Sequence, residues 1–259
     1  MIDVPFLTEA QIEAKADALL AAFSRDREPI LGPPVPLEDK LLYYLGLRLH
    51  MDDLHARFGV PRIAGRTDIL AALWIEDREI RVDESLDPEV NPEAEGRYYF
   101  SIGHEGGHWE LRRHHILATS AEPHLLMQSP SPVVCRISDL NGGGSRKERD
   151  GTRQQRDARA RMELQANRFG ACLLMPGFLI QAAWRQRFNN LDPVFVEDRQ
   201  SFAPELRLLL PSAVPGHKVS ASPIAHRALE ALITDFAGEF RTSRRAMRIR
   251  LQKLGLIFS

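Results

Sequence analysis

Cysteine is scarce in this chain: Cys135 and Cys172 are the only two among 259 residues. So few thiols argue against a disulfide scaffold and fit a reducing compartment, and neither has the paired spacing of a thiolate zinc site. Long apolar runs are missing too. No stretch approaches the roughly 18 residues a membrane-crossing helix needs. The opening Met1-Ile2-Asp3-Val4-Pro5 lacks the basic and apolar regions of a signal peptide. A cytoplasmic protein with no membrane partner is therefore expected. No repeat at a fixed period is visible, which removes solenoids and propellers. Net charge is close to absent at −1, but residues 76–97 carry nine acids against three arginines, while residues 241–259 carry six bases and no acid. The plain reading of each run is a solvated face; the sharper reading of the basic end is contact with nucleic acid or an acidic partner.

What remains is an ordinary globular composition, 44% hydrophobic and 27% charged. Residues 8–23 read as an amphipathic helix. Thr8 and Gln11 form a capping box, and Ile12, Ala16, Leu19, Leu20 and Phe23 fall on one stripe. Residues 29–36 are a turn-rich linker, and 37–47 read as a second helix ending near Gly46. Residues 69–75 and 79–83 suggest a hairpin, 98–113 a helix after a polar loop, and 132–137 a further strand carrying Cys135, which is either core or a free thiol. Residues 141–156 are Gly-rich and charged, with no apolar side chain to bury, and read as a mobile excursion. A helix over 157–175 is closed by Pro176; Cys172 fits its core. Another helix runs to Phe188, residues 191–223 hold five prolines and read as surface, and 223–258 return to a helical pattern. The expected organisation is a main domain over 1–190, a Pro-rich connection over 191–222, and a basic helical part over 223–259.

The most informative stretch is His104-Glu105-Gly106-Gly107-His108. Histidines four apart share one helix face, so both imidazoles can reach one divalent ion. Metal-assisted hydrolysis also needs an open position and a carboxylate to take the proton of attacking water, and Glu105 fits that role. Glu163 is the candidate third ligand. It shares a helix face with Asn167, beside the apolar stripe of Met162, Ala166, Phe169 and Leu173. One of the pair can bind metal while the other hydrogen-bonds a ligand histidine. The plainer alternative for Glu163 is a surface ion pair with Arg159, also four residues away.

At these residues the chain resembles a known family. Residues 99–108, Tyr-Phe-Ser-Ile-Gly-His-Glu-Gly-Gly-His, are similar to the active-site helix of the ImmA/IrrE-type metallopeptidases. Glu163-Leu164-Gln165-Ala166-Asn167-Arg168-Phe169, then Leu173-Leu174-Met175-Pro176, resemble that family's second signature. Weaker similarities extend over about residues 30–188 and 225–257. The resemblance implies an α+β, zincin-like metallopeptidase with a small antiparallel sheet packed on the HExxH helix and a helical C-terminal part. It implies one zinc ion, or another first-row divalent ion, held by His104, His108 and Glu163, with Glu105 as general base and Asn167 hydrogen-bonded behind a histidine. The substrate it implies is a protein, a DNA-binding helix-turn-helix repressor or similar regulator. The family usually has alanine where Gly103 stands and leucine where Gly106 stands. Three glycines weaken this helix, each by about 1 kcal/mol against alanine, unless another backbone must approach closely there.

A second reading is a DNA- or repressor-binding regulator with a vestigial or structural metal site. Thr242 and Ser243 would cap a helix bearing Arg244, Arg245, Arg248 and Arg250, the kind of basic face a DNA reader needs. Packing scaffold is the favoured role for that helix, with Met247, Leu251, Leu254 and Leu256 turned inward. A closed structural metal site needs a fourth protein ligand, and His114, His115 and His124 are the ones to consider. Tyr98, Tyr99, His217 and His226 are the candidates for stabilising a transition-state oxyanion, and the sequence does not choose among them.

Overall fold

The computed structural model describes residues 4–62, 68–120, 132–136, 153–195 and 223–258. The fold is mixed α+β, with a four-stranded sheet among mostly helical elements. Helix α1 (Glu9–Asp26) starts as its sequence dictates: Thr8 accepts from Gln11 N, and the Gln11 side chain reaches back to Thr8 N at 2.9 Å. Its buried residues are the five of the expected stripe. Residues 37–47 depart from the expected helix. A π-helical turn (Leu37–Leu41) runs into one short turn, α2 (Leu42–Tyr44), and Gly46 at φ 71° ends it. The chain then enters a strand that the sequence did not announce, β1 (Arg48–Asp52), followed by the short α3 (Leu54–Phe58).

The expected hairpin is present as β2 (Ile69–Trp74) and β3 (Glu79–Asp83), antiparallel across a turn over residues 75–78. After two 3₁₀ turns the long helix α4 (Glu95–Ser120) begins, three residues earlier than expected. Strand β4 (Val133–Arg136) pairs antiparallel with β2, with a register irregularity between Ile69 and Ala71. The sheet order is β1-β3-β2-β4. It corrects the expectation of an antiparallel sheet: β1 lies parallel to β3, from Arg48↔Glu79 to Asp52↔Asp83. Asp52 draws β1 to its neighbours, accepting from Arg81 of β3 at 2.7 Å and from Arg57 of α3. Residues 69–73 are buried throughout, as fits a strand flanked on both edges and packed against α4.

Helix α5 (Arg153–Leu174) crosses α4 and also packs against α1. The segment before α1 is tied to it: Arg161 Nη1 donates to Val4 O and Gln165 Nε2 to Pro5 O, both at 2.9 Å. Residues 1–30 and 36–174 form one compact unit; residues 31–35 and 175–259 form a second. Within the second unit, α6 (Gly177–Phe188), β5 (Val194–Phe195), α7 (Pro223–Glu239), α8 (Arg244–Lys253) and β6 (Ile257–Phe258) follow in order. Trp184 of α6 meets Phe236 of α7, while Met247, Leu251 and Ile257 are buried. Ser243 caps α8, accepting from Ala246 N at 3.2 Å. Among the described residues no helix is long and apolar enough to cross a membrane. Residues 141–152 of the expected excursion and most of the Pro-rich connection lie outside the described residues, as do His124 and His217, whereas residues 153–156 belong to α5.

Candidate metal centre

The close crossing of α4 and α5 builds the centre, and glycine permits it. A Cβ on Gly107 would stand 2.9 Å from Ala166 O and 3.0 Å from Ala166 Cα; one on Gly170 would stand 2.8 Å from the Gly103 carbonyl carbon. Such distances leave no room for a side chain, so the two backbones touch at Gly103, Gly107, Ala166 and Gly170. Two of the three glycines that weaken α4 are thus explained by packing. Gly106 is not, since a Cβ there would meet nothing within 4 Å.

The contacting residues lie beside the polar ones. His104 follows Gly103 and His108 follows Gly107, while Glu163 and Asn167 share a face of α5 beside Ala166 and Gly170. The crossing brings them together. His104 Nε2 lies 3.2 Å from Glu163 Oε2, His108 Nε2 lies 3.3 Å from the same oxygen, and the two Nε2 atoms are 2.9 Å apart. Asn167 Oδ1 is 2.9 Å from His104 Nδ1. With that oxygen accepting, Nδ1 carries the proton and Nε2 of the neutral ring presents a lone pair toward Glu163. The Nε2 atoms of both imidazoles and a carboxylate oxygen therefore converge on one point. Around a four-coordinate ion with bonds of about 2.0–2.1 Å, nitrogen and oxygen ligands stand about 3.3 Å apart, close to the spacing here.

All of this is enclosed. Exposure is 0% for His104 and Glu105, 1% for His108 and 8% for Glu163. Burial opposes charging His104, yet Cys135, Glu163 and Glu105 outweigh it and raise the imidazole's pKa well above its ordinary value. Burial likewise works to raise the Glu163 carboxyl, but the His108 and His104 imidazoles hold it below the usual carboxylate range. These residues call for positive charge among them, which protons or a divalent cation can each supply. His104, His108 and Glu163 form a buried cluster that can bind a metal ion.

The plain alternative for Glu163, an ion pair with Arg159 on the surface, is not what forms: Glu163 is buried against the histidines, and Arg159 is exposed. Two other features of the site are fixed by the fold. Neither β2 nor β3 offers a free edge for a substrate strand, because each is paired on both sides. Tyr98 is committed elsewhere, its hydroxyl donating to Glu38 Oε1 at 2.7 Å, and Tyr99 turns to the other oxygen of Glu38 at 3.5 Å. His226 is exposed on α7.

Cys135 is the residue whose place at the centre the sequence did not disclose. It is fully buried on β4, opposite Ala71. Its sulfur, a His104 ring nitrogen and a Glu105 carboxylate oxygen lie within 4.8 Å of one another. Burial pushes its thiol up to about 11, against the downward pull of His104. Nothing in the sequence links it to the histidines, which lie about thirty positions earlier on another element. The one hint was a cysteine in a strand-like run following an HExxH helix.

Compared with known proteins, the chain matches no family model and no curated protein.

Proposed function

We propose that this protein is a metal-dependent endopeptidase of the ImmA/IrrE type, with a zincin-like catalytic unit and zinc as its ion. The observation that carries the reading is the convergence of His104, His108 and Glu163 donors at 2.9–3.3 Å with the carboxylate of Glu105 buried on the same helix. Two histidines and one carboxylate are a donor set that suits zinc and leaves a position for chemistry. A divalent ion held there supplies Lewis acidity to a scissile carbonyl and to the attacking water. The chain's own part follows from its side chains. Glu105 takes the water's proton and returns it to the leaving amine. Asn167 holds the His104 ring so that Nε2 faces the ion, and the Gly107–Ala166 contact keeps α5 close enough for Glu163 to reach. A peptide substrate would bind as an added strand on β4, which carries Cys135 and is an edge strand of the sheet among the described residues. A helix-turn-helix repressor, met in the cytoplasm, is the substrate class the motif resemblance points to.

The DNA-reading alternative loses ground on α8. Arg250 is buried, its Nε donating to Met175 O at 2.9 Å, and Arg248 pairs with Glu230 of α7. Half of the supposed basic face is thereby spent inside the second unit.

The test is proteolysis of a proteome-derived peptide library by zinc-loaded protein, read by mass spectrometry, beside a Glu105→Gln variant. The parent should cut, and the variant should bind the same amount of metal yet cut about 10²–10⁴-fold more slowly, because an amide cannot take the water's proton. Equal cleavage by both would remove Glu105 from the mechanism, and no cleavage by either would remove the peptidase reading.

A further inference from the structure

His104 is shared by two groups of donors that lie on different sides of α4. It joins His108 and Glu163 in one group and Glu105 and Cys135 in the other, and within each the donor atoms lie within 4.8 Å of one another. Among the described residues no group joins Cys135 to His108 or Glu163. The helix explains the separation. Successive residues turn about 100° round an α-helix axis. Gly103 and Gly107 mark the side of α4 that meets α5, so Glu105, about 160–200° round the axis from both, points away from α5. His104 stands between the two sides, about 100° from Gly103 and from Glu105. Cys135 approaches from the sheet, on β4, which pairs with β2; both strands pack on α4.

His104, Glu105 and Cys135 are all fully buried. An imidazole, a carboxylate and a thiolate together carry two negative charges, costly to bury without a cation that balances them. Asn167 Oδ1 engages His104 Nδ1 at 2.9 Å, leaving Nε2 as the nitrogen that either group can use. One lone pair serves one ion, so the two positions exclude each other. Around a tetrahedral ion, a thiolate bonded at about 2.3 Å stands about 3.6 Å from an imidazole nitrogen bonded at about 2.0–2.1 Å, inside the 4.8 Å that bounds this group.

We propose that His104, Glu105 and Cys135 form a second cation position, exclusive of the first and selective for a thiophilic divalent ion such as cadmium. Two imidazoles and a carboxylate suit zinc; exchanging one imidazole for a sulfur moves the preference toward softer ions. On binding, the Cys135 S–H bond is lost, a sulfur–metal bond forms, and the proton passes to solvent. The position itself does not depend on peptidase activity. Its consequence for activity rests on the role proposed above for Glu105: a carboxylate bound to the ion cannot take the proton of water, so a soft ion arrests hydrolysis.

The test is made in the full chain carrying Glu163→Ala, which disables the first position. Cd²⁺ and Zn²⁺ are titrated separately by chelator competition, and the ultraviolet thiolate-to-cadmium charge-transfer band is followed. Cys135→Ser, Cys172→Ser and Glu105→Gln are each added to that background, with circular dichroism as the check on folding. Glu163→Ala and its Cys172→Ser derivative should bind one Cd²⁺ with the band, and Zn²⁺ at least about tenfold more weakly. Adding Cys135→Ser should abolish the band, and adding it or Glu105→Gln should weaken cadmium at least about tenfold, since each removes one of three donors. Cys135→Ser alone should leave zinc affinity within about twofold of the parent, because the first position does not use the thiol. A band missing from Glu163→Ala, a band that survives Cys135→Ser, cadmium affinity indifferent to Glu105→Gln, or zinc held there as tightly as cadmium overturns the proposal. Zinc affinity undiminished by Glu163→Ala would instead overturn the first position, while the cadmium band still decides the second.

Discussion

Gly107→Ala isolates the helix crossing from everything else at the centre. On helix propensity alone the change should stabilise α4 by about 1 kcal/mol. The new Cβ, however, would stand 2.9 Å from Ala166 O and 3.0 Å from Ala166 Cα, both backbone atoms that cannot rotate away. Relief needs α4 and α5 to part by several tenths of an ångström or more, and overpacking of this kind costs about 1–3 kcal/mol. The net expectation is a loss of up to about 2 kcal/mol. Parting the helices also carries Glu163 and Asn167 away from His104 and His108, so zinc affinity should fall as well. Gly106→Ala is the matched control, because its Cβ would meet nothing within 4 Å. That variant should gain about 0.4–1 kcal/mol, with zinc affinity unchanged. Urea unfolding of the zinc-free proteins gives both stabilities, and competition with a chromogenic chelator gives both affinities. If Gly107→Ala proves as stable and as tight for zinc as Gly106→Ala, the close crossing does not set the ligand geometry.

The same geometry makes two further predictions. Asn167→Ala removes the oxygen that fixes the His104 tautomer and should weaken zinc binding by about 10–100-fold with little change in far-ultraviolet circular dichroism; an unchanged affinity in the chelator competition would contradict this. Leu251→Ala empties a fully buried site in the second unit and should cost about 2–5 kcal/mol by urea unfolding, whereas a cost below about 0.5 kcal/mol would place Leu251 on a surface instead.

Much of the first unit was legible because its signals are local. The stripe and capping box of α1 come from residues within one helix, and the 69–83 hairpin from apolar runs flanking a polar turn. The His104, His108 and Glu163 cluster was legible because two i, i+4 pairs each define a helix face. Strand β1 was not, although Arg48-Leu49-His50-Met51-Asp52 alternates polar and apolar residues, because the run is short, holds no β-branched or aromatic residue and buries none of its side chains. It is held by parallel pairing to β3 and by Asp52 meeting Arg57 and Arg81, all partners from elsewhere in the chain. The π-helical turn over Leu37–Leu41 carries the apolar spacing of a helix and so passed for one. The glycines of α4 read as weakness until α5 supplied the backbone they accommodate. Periodicity in residues 177–188 marks a helix without saying which core it joins, and Trp184 against Phe236 settles that in the second unit.

The central claim, that His104, His108 and Glu163 together hold one divalent ion, is tested most directly by elemental analysis of the purified, zinc-equilibrated and desalted protein beside His104→Ala, His108→Ala and Glu163→Ala. The account predicts about one equivalent of zinc in the parent and about a tenth or less in each variant, because each substitution removes one of only three strong donors. Metal content that is negligible in the parent, or undiminished in Glu163→Ala, would contradict it.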